Sequence, residues 1–454
     1  MDISTRRRTN VLVGLVALVG MMPDRHVLAR PSSFVALPGH VLSTPAAAVS
    51  MLPAARGGHT VPLTLTIVLK RDDDAGFDRY LRAVYDPSSP SYRHFLSVQA
   101  ITERFGPSPS TYGRLATYFT RRGFEIVRTS RNRLTLTVRG PRSAVEQALR
   151  LRIDDYRLGD RVVYANDRDP ALPRSLAGHV QSITGLSDLA TAQPAIKALR
   201  FSAYATVCAL LLAPIRPPFG YKLCVPTGSG GQGINPYKLC ITAAREAADA
   251  NADLNFDLFQ YSSLYQFSRI VRTIDNCPEG TGPQGLTFTS TSRGRMSTPG
   301  SRAAVSGSGQ KIGIIALDSF VRSDVADYLG LLGFPAANID KGGQVHVNGG
   351  ARHGPTQDET LLDVTTVMTL APAANVVVYD APFTGAGTFQ ALFNAAIDDG
   401  ATVISNSWAY CEDQTTRADV ESLDAIFSTA AAAGISIFNA AGDSGSTCLD
   451  GSPN

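Results

Sequence analysis

The sequence predicts two folded segments of different class, an α+β ferredoxin-like sandwich over 61–190 and an α/β parallel sheet over 310–454. Three observations predict this. In the first segment, short alternating strands are interleaved with amphipathic helices in a βααββαβ order. In the second, near-continuous apolar strands alternate with helical stretches, the mark of a parallel sheet covered on both faces. Between them, residues 191–309 show neither pattern and end in the Ser- and Gly-rich TSTSRGRMSTPGSRAAVSGSG.

The elements of 61–190 follow from local chemistry. VPLTLTIVLK alternates apolar and polar residues and reads as a strand. FDRYLRAVYD has helical spacing, and YDPSSPSYRHFLS (85–97) is a Pro/Ser-rich turn that closes on aromatics. SVQAITERFG and STYGRLATYFTRRG read as helices. FEIVRTS and RLTLTVRG form a hairpin through Ser130, Arg131 and Asn132. The helix SAVEQALRL leads to a short strand pair around 153–165.

From Gln310 the alternation changes scale. KIGIIAL is a buried strand, followed by the helix DVADYLGLLG, a short strand at 344–348 and a helix bearing Glu359. NVVVYDAP, TVISNSW and ISIFNAAGD read as strands, with helices near 386–399 and over ADVESLDAIFSTAAAAG. Ligand sites in such sheets lie beyond the carboxyl ends of the strands, where Trp408 and Asp443 fall.

The chain has 454 residues and a net charge of +3, but the average hides a division. Residues 59–190 carry 20 Lys+Arg against 14 Asp+Glu, a net +6, and 301–454 carry 6 against 17, a net −11. Opposite fields favour docking of one segment on the other. Nucleic acid is excluded as a partner, because the basic residues are interleaved with acids and lack an aromatic stacking pattern. Residues 1–29 read as a secretory signal, with Arg6, Arg7 and Arg8 before the short apolar run Val11–Gly20 and small residues near Ala29. No membrane association is expected once it is removed, and 30–60 reads as a linker. The expected location is extracellular or periplasmic. Six cysteines suit that compartment; no pair has C-x-x-C spacing, which disfavours zinc. Cys411 and Cys448 each follow a sheet strand at the same end and are the expected disulfide.

The candidate chemistry rests on carboxylates. Glu359 and Asp363, four apart on one helix, share a face. Two carboxylates held close cannot both ionise easily, so one keeps its proton to higher pH and can work as an acid–base group in mild acid. The last histidine of the chain is His353, so no imidazole lies in the later site strands.

These residues resemble the sedolisin family of serine-carboxyl peptidases, kumamolisin-like in type. The D-P-x-S-P-x-Y-x-x-F-L segment (Asp86–Leu96) and the closing Gly185-Leu186-Ser187 are similar to the family's activation domain, expected over 61–190. Residues 191–309 then correspond to the linker cut during maturation, with an insert. Residues 310–454 correspond to the N-terminal part, the first half, of a subtilisin-like catalytic domain. The resemblance implies that the glutamate at 359 takes a serine proton, that Asp363 supports it, and that Asp443 donates a proton to the oxyanion. It implies that Trp408, in the family's S-W pair, lines the substrate cleft for a polypeptide. It also implies a nucleophilic serine in a G-T-S-x-x-x-P segment and a calcium loop, both later than any residue here. No such segment occurs in the 454 residues, so this chain is expected to be inactive as it stands and to hold no cofactor. The alternative is a non-catalytic remnant that binds peptides or inhibits a related peptidase. GDSGS around Ser444 superficially suggests a chymotrypsin-like loop, but that fold is all-β, and Ser446 occupies the last glycine of a G-x-S-x-G elbow.

Overall fold

Alternation along Leu63–Leu69 (β3) sends Leu63, Leu65, Ile67 and Leu69 to one face and Thr64, Thr66 and Val68 to the other. The computed structural model describes residues 33–42, 52–53, 61–158, 160–194, 307–331, 343–354 and 356–442. The expected leader at 1–29, Cys208, Cys224, Cys240, Cys277, Asp443 and Cys448 lie outside them.

β3 pairs with Thr135–Gly140 (β5) on one side and Val180–Thr184 (β9) on the other, and Glu125–Thr129 (β4) lies outside β5. The result is an antiparallel sheet in the order β4-β5-β3-β9. Its apolar face is covered by helices α3 (Pro109–Thr120) and α4 (Arg142–Leu149), through Leu115, Phe119, Val145 and Leu149. Two further helices, α1 (Asp74–Tyr85) and α2 (Val98–Phe105), pack together through Phe77, Tyr80, Val84, Ile101 and Phe105. Their starts are set by Asp73 and Ser97, whose side chains accept from Gly76 N and Ala100 N. The fourth strand of the sheet is β9, beyond the 153–165 pair where the sequence pattern ends its strands. That pair, Ile153–Leu158 (β6) with Arg161–Asn166 (β7), instead forms a separate sheet with Leu52–Pro53 (β2). Residues 34–42, read from sequence as linker, pack on this segment: Phe34–Ala36 (β1) pairs with Ala171–Pro173 (β8), and Leu37 and His40 are buried. A single helical turn, α5 (Arg174–Ala177), follows β8.

The second segment is built on five strands: β11 Lys311–Ala316, β12 Gln344–His346, β13 Asn375–Asp380, β14 Val403–Asn406 and β16 Ser436–Asn439. They are parallel, in the order β12-β13-β11-β14-β16. Helices α6 (Arg322–Leu331) and α7 (Gln357–Leu370) cover one face, with Val325, Leu361, Val364 and Met368 against Ile314, Val376 and Val378. Helices α8 (Gly387–Asp398) and α9 (Arg417–Ala432) cover the other, with Phe389, Leu392, Phe393 and Ile426 against Ile315, Tyr379 and Ile404. Covering both faces is what the unbroken apolar strands required.

α8 is buried at every position from Gly387 to Ile397. One side rests on its own sheet and the other meets the polar face of the first segment, where Thr66, Thr135, Thr137, Ser182 and Thr184 are 0–6% exposed. Thr137, Thr66 and Thr184 are cross-strand neighbours and form a row along this seam. The polar stripe of α8 answers it. Asn394 and Asn132 exchange amide bonds of 2.6 and 3.1 Å, and Asn394 donates to Thr135 Oγ1 at 2.8 Å. Asp398 accepts from the backbone N–H groups of Arg131 and Asn132 at 2.7 and 2.9 Å. Gly387 stands where a Cβ would lie 2.1 Å from Thr184 Oγ1, so only glycine allows this approach. At the far end of α9, Tyr80 and Tyr85 donate to the carbonyls of Ala432 and Ala431, and Arg71 to that of Ala425.

The segments therefore dock, but chiefly through uncharged groups. Among the described residues the ion pairs across the seam are those of Arg131 with Asp398 and Asp399, at 3.8 and 3.7 Å. Arg131 is 75% exposed, so screening leaves these pairs weak. No helix among the described residues is long and apolar enough to cross a membrane.

Candidate active site

The site is built at the carboxyl ends of β11, β13 and β14, and two buried aspartates shape its approach. Asp318, 3% exposed after β11, accepts from Ser319 N, Gly354 N, Thr356 N and Thr356 Oγ1 at 2.6 to 3.0 Å. Its carbonyl also accepts from Thr360 Oγ1 on α7 at 3.1 Å. Asp380, fully buried at the end of β13, accepts from Ala351 N at 2.7 Å and holds His346 Nδ1 at 2.9 Å. Gly350 lies over that pair with φ +77, where a Cβ would stand 2.5 Å from His346 Nδ1. The two carboxylates thus clamp the loop between β12 and α7 and fix where α7 begins.

α7 carries Glu359 in its first turn and Asp363 one turn later. Glu359 is 3% exposed. Asp363 Oδ1 accepts from Ser407 Oγ at 2.9 Å, and its enclosed Oδ2 has no hydrogen-bond donor among the described residues. Burial pushes the Asp363 carboxyl up to about 6 from 3.8, and the Ser407 bond pulls it part of the way back. The cause is desolvation first, rather than the like charge of a second carboxylate that the helical spacing suggests.

Ser407 joins the carboxylates to the strand Trp408–Ala409 (β15). The Trp408 side chain is 4% exposed and packed in the apolar cluster of α8 and α9, while its backbone is held by Asn406. The edge of β15 is taken by Gln193–Pro194 (β10), antiparallel, with Pro194 opposite Trp408 and Gln193 opposite Ala409. The chain leaving the first segment therefore lies in extended form one residue from the group that touches Asp363. Thr191 N donates to Gln414 Oε1 at 3.2 Å and helps hold it there. Asn439 closes β16 beside Asn406, at 3.1 Å between side chains, and Asp443 lies beyond the described residues.

The structure thus brings Asp363, Ser407 and the Trp408 strand together, with Glu359 one turn before Asp363. Sequence reasoning did not single out Ser407, Asp318 or Asp380. Position was the available signal for all three, since each sits at or just past the carboxyl end of a parallel strand. Ser407→Ala should move the Asp363 pKa further upward, because the hydroxyl stabilises the ionised form. An NMR titration of the Asp363 carboxyl checks this, and an unmoved or lowered value would count against it. Among the described residues no three His, Cys, Asp or Glu side chains are grouped to hold a metal ion, so no step is assigned to calcium.

Comparison with known proteins gives a family match on the first segment and three similar proteins. Residues 52–189 match the family model "Pro-kumamolisin, activation domain". The chain is 37% identical over 150 residues to kumamolisin of Bacillus sp. (strain MN-32), covering 31% of this chain and 26% of that protein. It is 28% identical over 128 residues to xanthomonalisin of Xanthomonas sp. (strain T-22), covering 28% and 16%. With sedolisin of Pseudomonas sp. (strain 101) it shares 27% over 172 residues, covering 38% and 28%. The matches thus span less than a third of the length of each relative. Residues 52–189 therefore form an activation domain of the pro-kumamolisin type, and the matches support a sedolisin-family precursor.

Proposed function

We propose that the chain belongs to the precursor of an exported, acid-active serine-carboxyl endopeptidase, with 307–442 forming part of a subtilisin-like catalytic domain. The observation that carries this is the placing of Asp363, through Ser407, beside a strand edge occupied by an extended peptide. A polypeptide substrate would lie antiparallel on Trp408–Ala409 as Gln193–Pro194 does, with its side chains alternating across the edge. Glu359 would take the proton of an attacking serine hydroxyl, and Asp363, holding a proton to about pH 6, would support it through the same helix face. Asp443 is proposed as the proton donor to the oxyanion. A calcium ion in a later loop would stiffen the fold and takes no part in these steps.

The 454 residues supply acid–base groups and no serine in the G-T-S-x-x-x-P setting, so by themselves they should not turn over a peptide. The second reading is a peptide-binding or inhibitory protein. Export is supported by the arginines and apolar run at the start of the chain. Cys448 is the partner we assign to Cys411, which is disulfide-bonded and 7% exposed just after β15.

The test is to follow the reading frame past Asn454 and assay its product on an unfolded protein between pH 3 and 7. A G-T-S-x-x-x-P segment with acid-dependent cleavage, abolished by Glu359→Gln, is the expected result. A folded product that carries that segment and leaves the substrate intact, or a frame that stops at Asn454, would favour the binding role.

A further inference from the structure

His40 is a buried titratable group at the junction of the two segments, and the candidate site does not use it. Its residue is 2% exposed. Nδ1 lies 2.9 Å from the Leu37 carbonyl, which can only accept, so Nδ1 carries the proton. Nε2 lies 3.0 Å from the backbone N–H of Ile183 on β9, which can only donate, so Nε2 is bare. Two backbone groups thus impose a neutral imidazole in a single tautomer. A second proton on Nε2 would set one N–H against another.

The segment that carries His40 spans the junction. Its β1 pairs with β8, and Leu37 N donates to Pro170 O. The His40 carbonyl accepts from Asn166 Nδ2 at 3.0 Å. The Gly39 carbonyl accepts from Ala418 N, in the first turn of α9, at 3.0 Å. α9 in turn packs on β9, the strand that His40 holds.

Two carboxylates face this histidine, and each already accepts hydrogen bonds from other groups. Asp169 on the first segment has Oδ1 engaged by His40 N–H at 2.8 Å. Asp419 on α9 has Oδ2 engaged by Thr415 Oγ1, Thr416 N and Thr416 Oγ1 in the helix capping box. Both favour the imidazolium, but burial outweighs them and holds the His40 pKa below its usual value. Burial also favours the protonated form of Asp419, against the pull of the Thr416 hydrogen bonds, which weakens its attraction for a charged histidine.

We propose that His40 is an acid-operated latch: a second proton drives Nε2 off Ile183 and frees residues 34–42 from β9 and from the first turn of α9. Its use in loosening the activation domain rests on the precursor reading above; the latch itself does not. Since the folded state binds this proton more weakly than the unfolded chain, the contribution is intact above about pH 6.5 and is lost as pH falls below it. One proton raises the opening constant by up to about tenfold for each pH step of one.

Hydrogen exchange of the Ile183 and Ala418 amides in the 454-residue chain, corrected for intrinsic rates, tests the latch between pH 7.5 and pH 5. Protection should fall about tenfold further in the parent than in His40→Gln, whose side-chain carbonyl can accept from Ile183 without titrating. Equal pH dependence in the two proteins overturns the proposal. The ring nitrogen shifts of native parent protein give an answer that no variant has to fold for. They should report a neutral Nδ1–H ring until those amides lose protection. A ring doubly protonated near pH 6.5 with Ile183 still protected also overturns it. Neither measurement involves cleavage, so loss of the peptidase reading would remove the purpose of the latch and leave its chemistry standing.

Discussion

Asn394→Leu should destabilise the whole chain by about 3 kcal/mol, although residue 394 lies outside every apolar cluster. Asn394 is 1% exposed, and its amide exchanges bonds with Asn132 and donates to Thr135 Oγ1. Leucine fills the volume but leaves the Asn132 amide and the Thr135 hydroxyl buried without those partners. Each such group costs roughly 1 to 3 kcal/mol. Removing both amides should be cheaper than the separate effects suggest, because neither amide is then stranded by loss of the other, while Thr135 loses its donor whenever Asn394 is replaced. A double-mutant cycle with Asn132→Leu should therefore show coupling of about 1 to 3 kcal/mol. Urea unfolding of the four proteins at pH 7 measures this. Additive effects, or a single-variant cost below about 1 kcal/mol, would mean that the amide pair is incidental to docking.

Asp363→Asn should stabilise the chain at pH 8 by about 2 to 3 kcal/mol relative to its effect at pH 3.5. The folded state holds the Asp363 proton to about pH 6, whereas an ordinary aspartate loses it near 3.8. A raised acid contributes stability that is fully present below about 3.8 and is lost as pH rises through about 6. Above that, the parent carries a buried anion that asparagine does not, and each tenfold difference in proton affinity between folded and unfolded chain is worth about 1.4 kcal/mol. The Ser407 hydroxyl can still donate to the asparagine carbonyl, so the comparison isolates the charge. Denaturation of parent and variant across this range decides the matter. A stability difference that stays flat with pH would place the Asp363 titration at an ordinary value.

Much of this architecture was legible because its signals are local. The runs in Lys311–Ala316 and Asn375–Asp380 are apolar without alternation and become inner parallel strands. Leu63–Leu69 alternates and becomes a two-faced one. Glu359 and Asp363 were singled out by helical spacing together with the family resemblance, and the structure puts both on α7. What escaped depends on partners distant in sequence. β9 gives little sign that it joins β3, since VQSIT is half polar, and its threonine and serine make sense only against α8. Residues 34–42 read as linker because Pro38 and Gly39 mark a turn, while the partners that hold them are Ile183, Asn166 and Ala418. The charge division is real in the sequence, yet most of the seam is neutral, because net charge reports an average field and not which side chains meet.

The threonine row on β3, β5 and β9 also fixes how the two segments would come apart. Opening a contact between apolar faces hydrates hydrocarbon, which raises the heat capacity and gives steep denaturant dependence. Along the threonine row the newly wetted groups are hydroxyls and amides, whose hydration lowers the heat capacity, whereas at the far end of α9 Ala432 leaves the apolar cluster of α1 and α2. Parting of this row is thus calorimetrically quiet compared with melting of either core. Its temperature dependence follows hydrogen-bond enthalpy rather than the curvature typical of hydrophobic association.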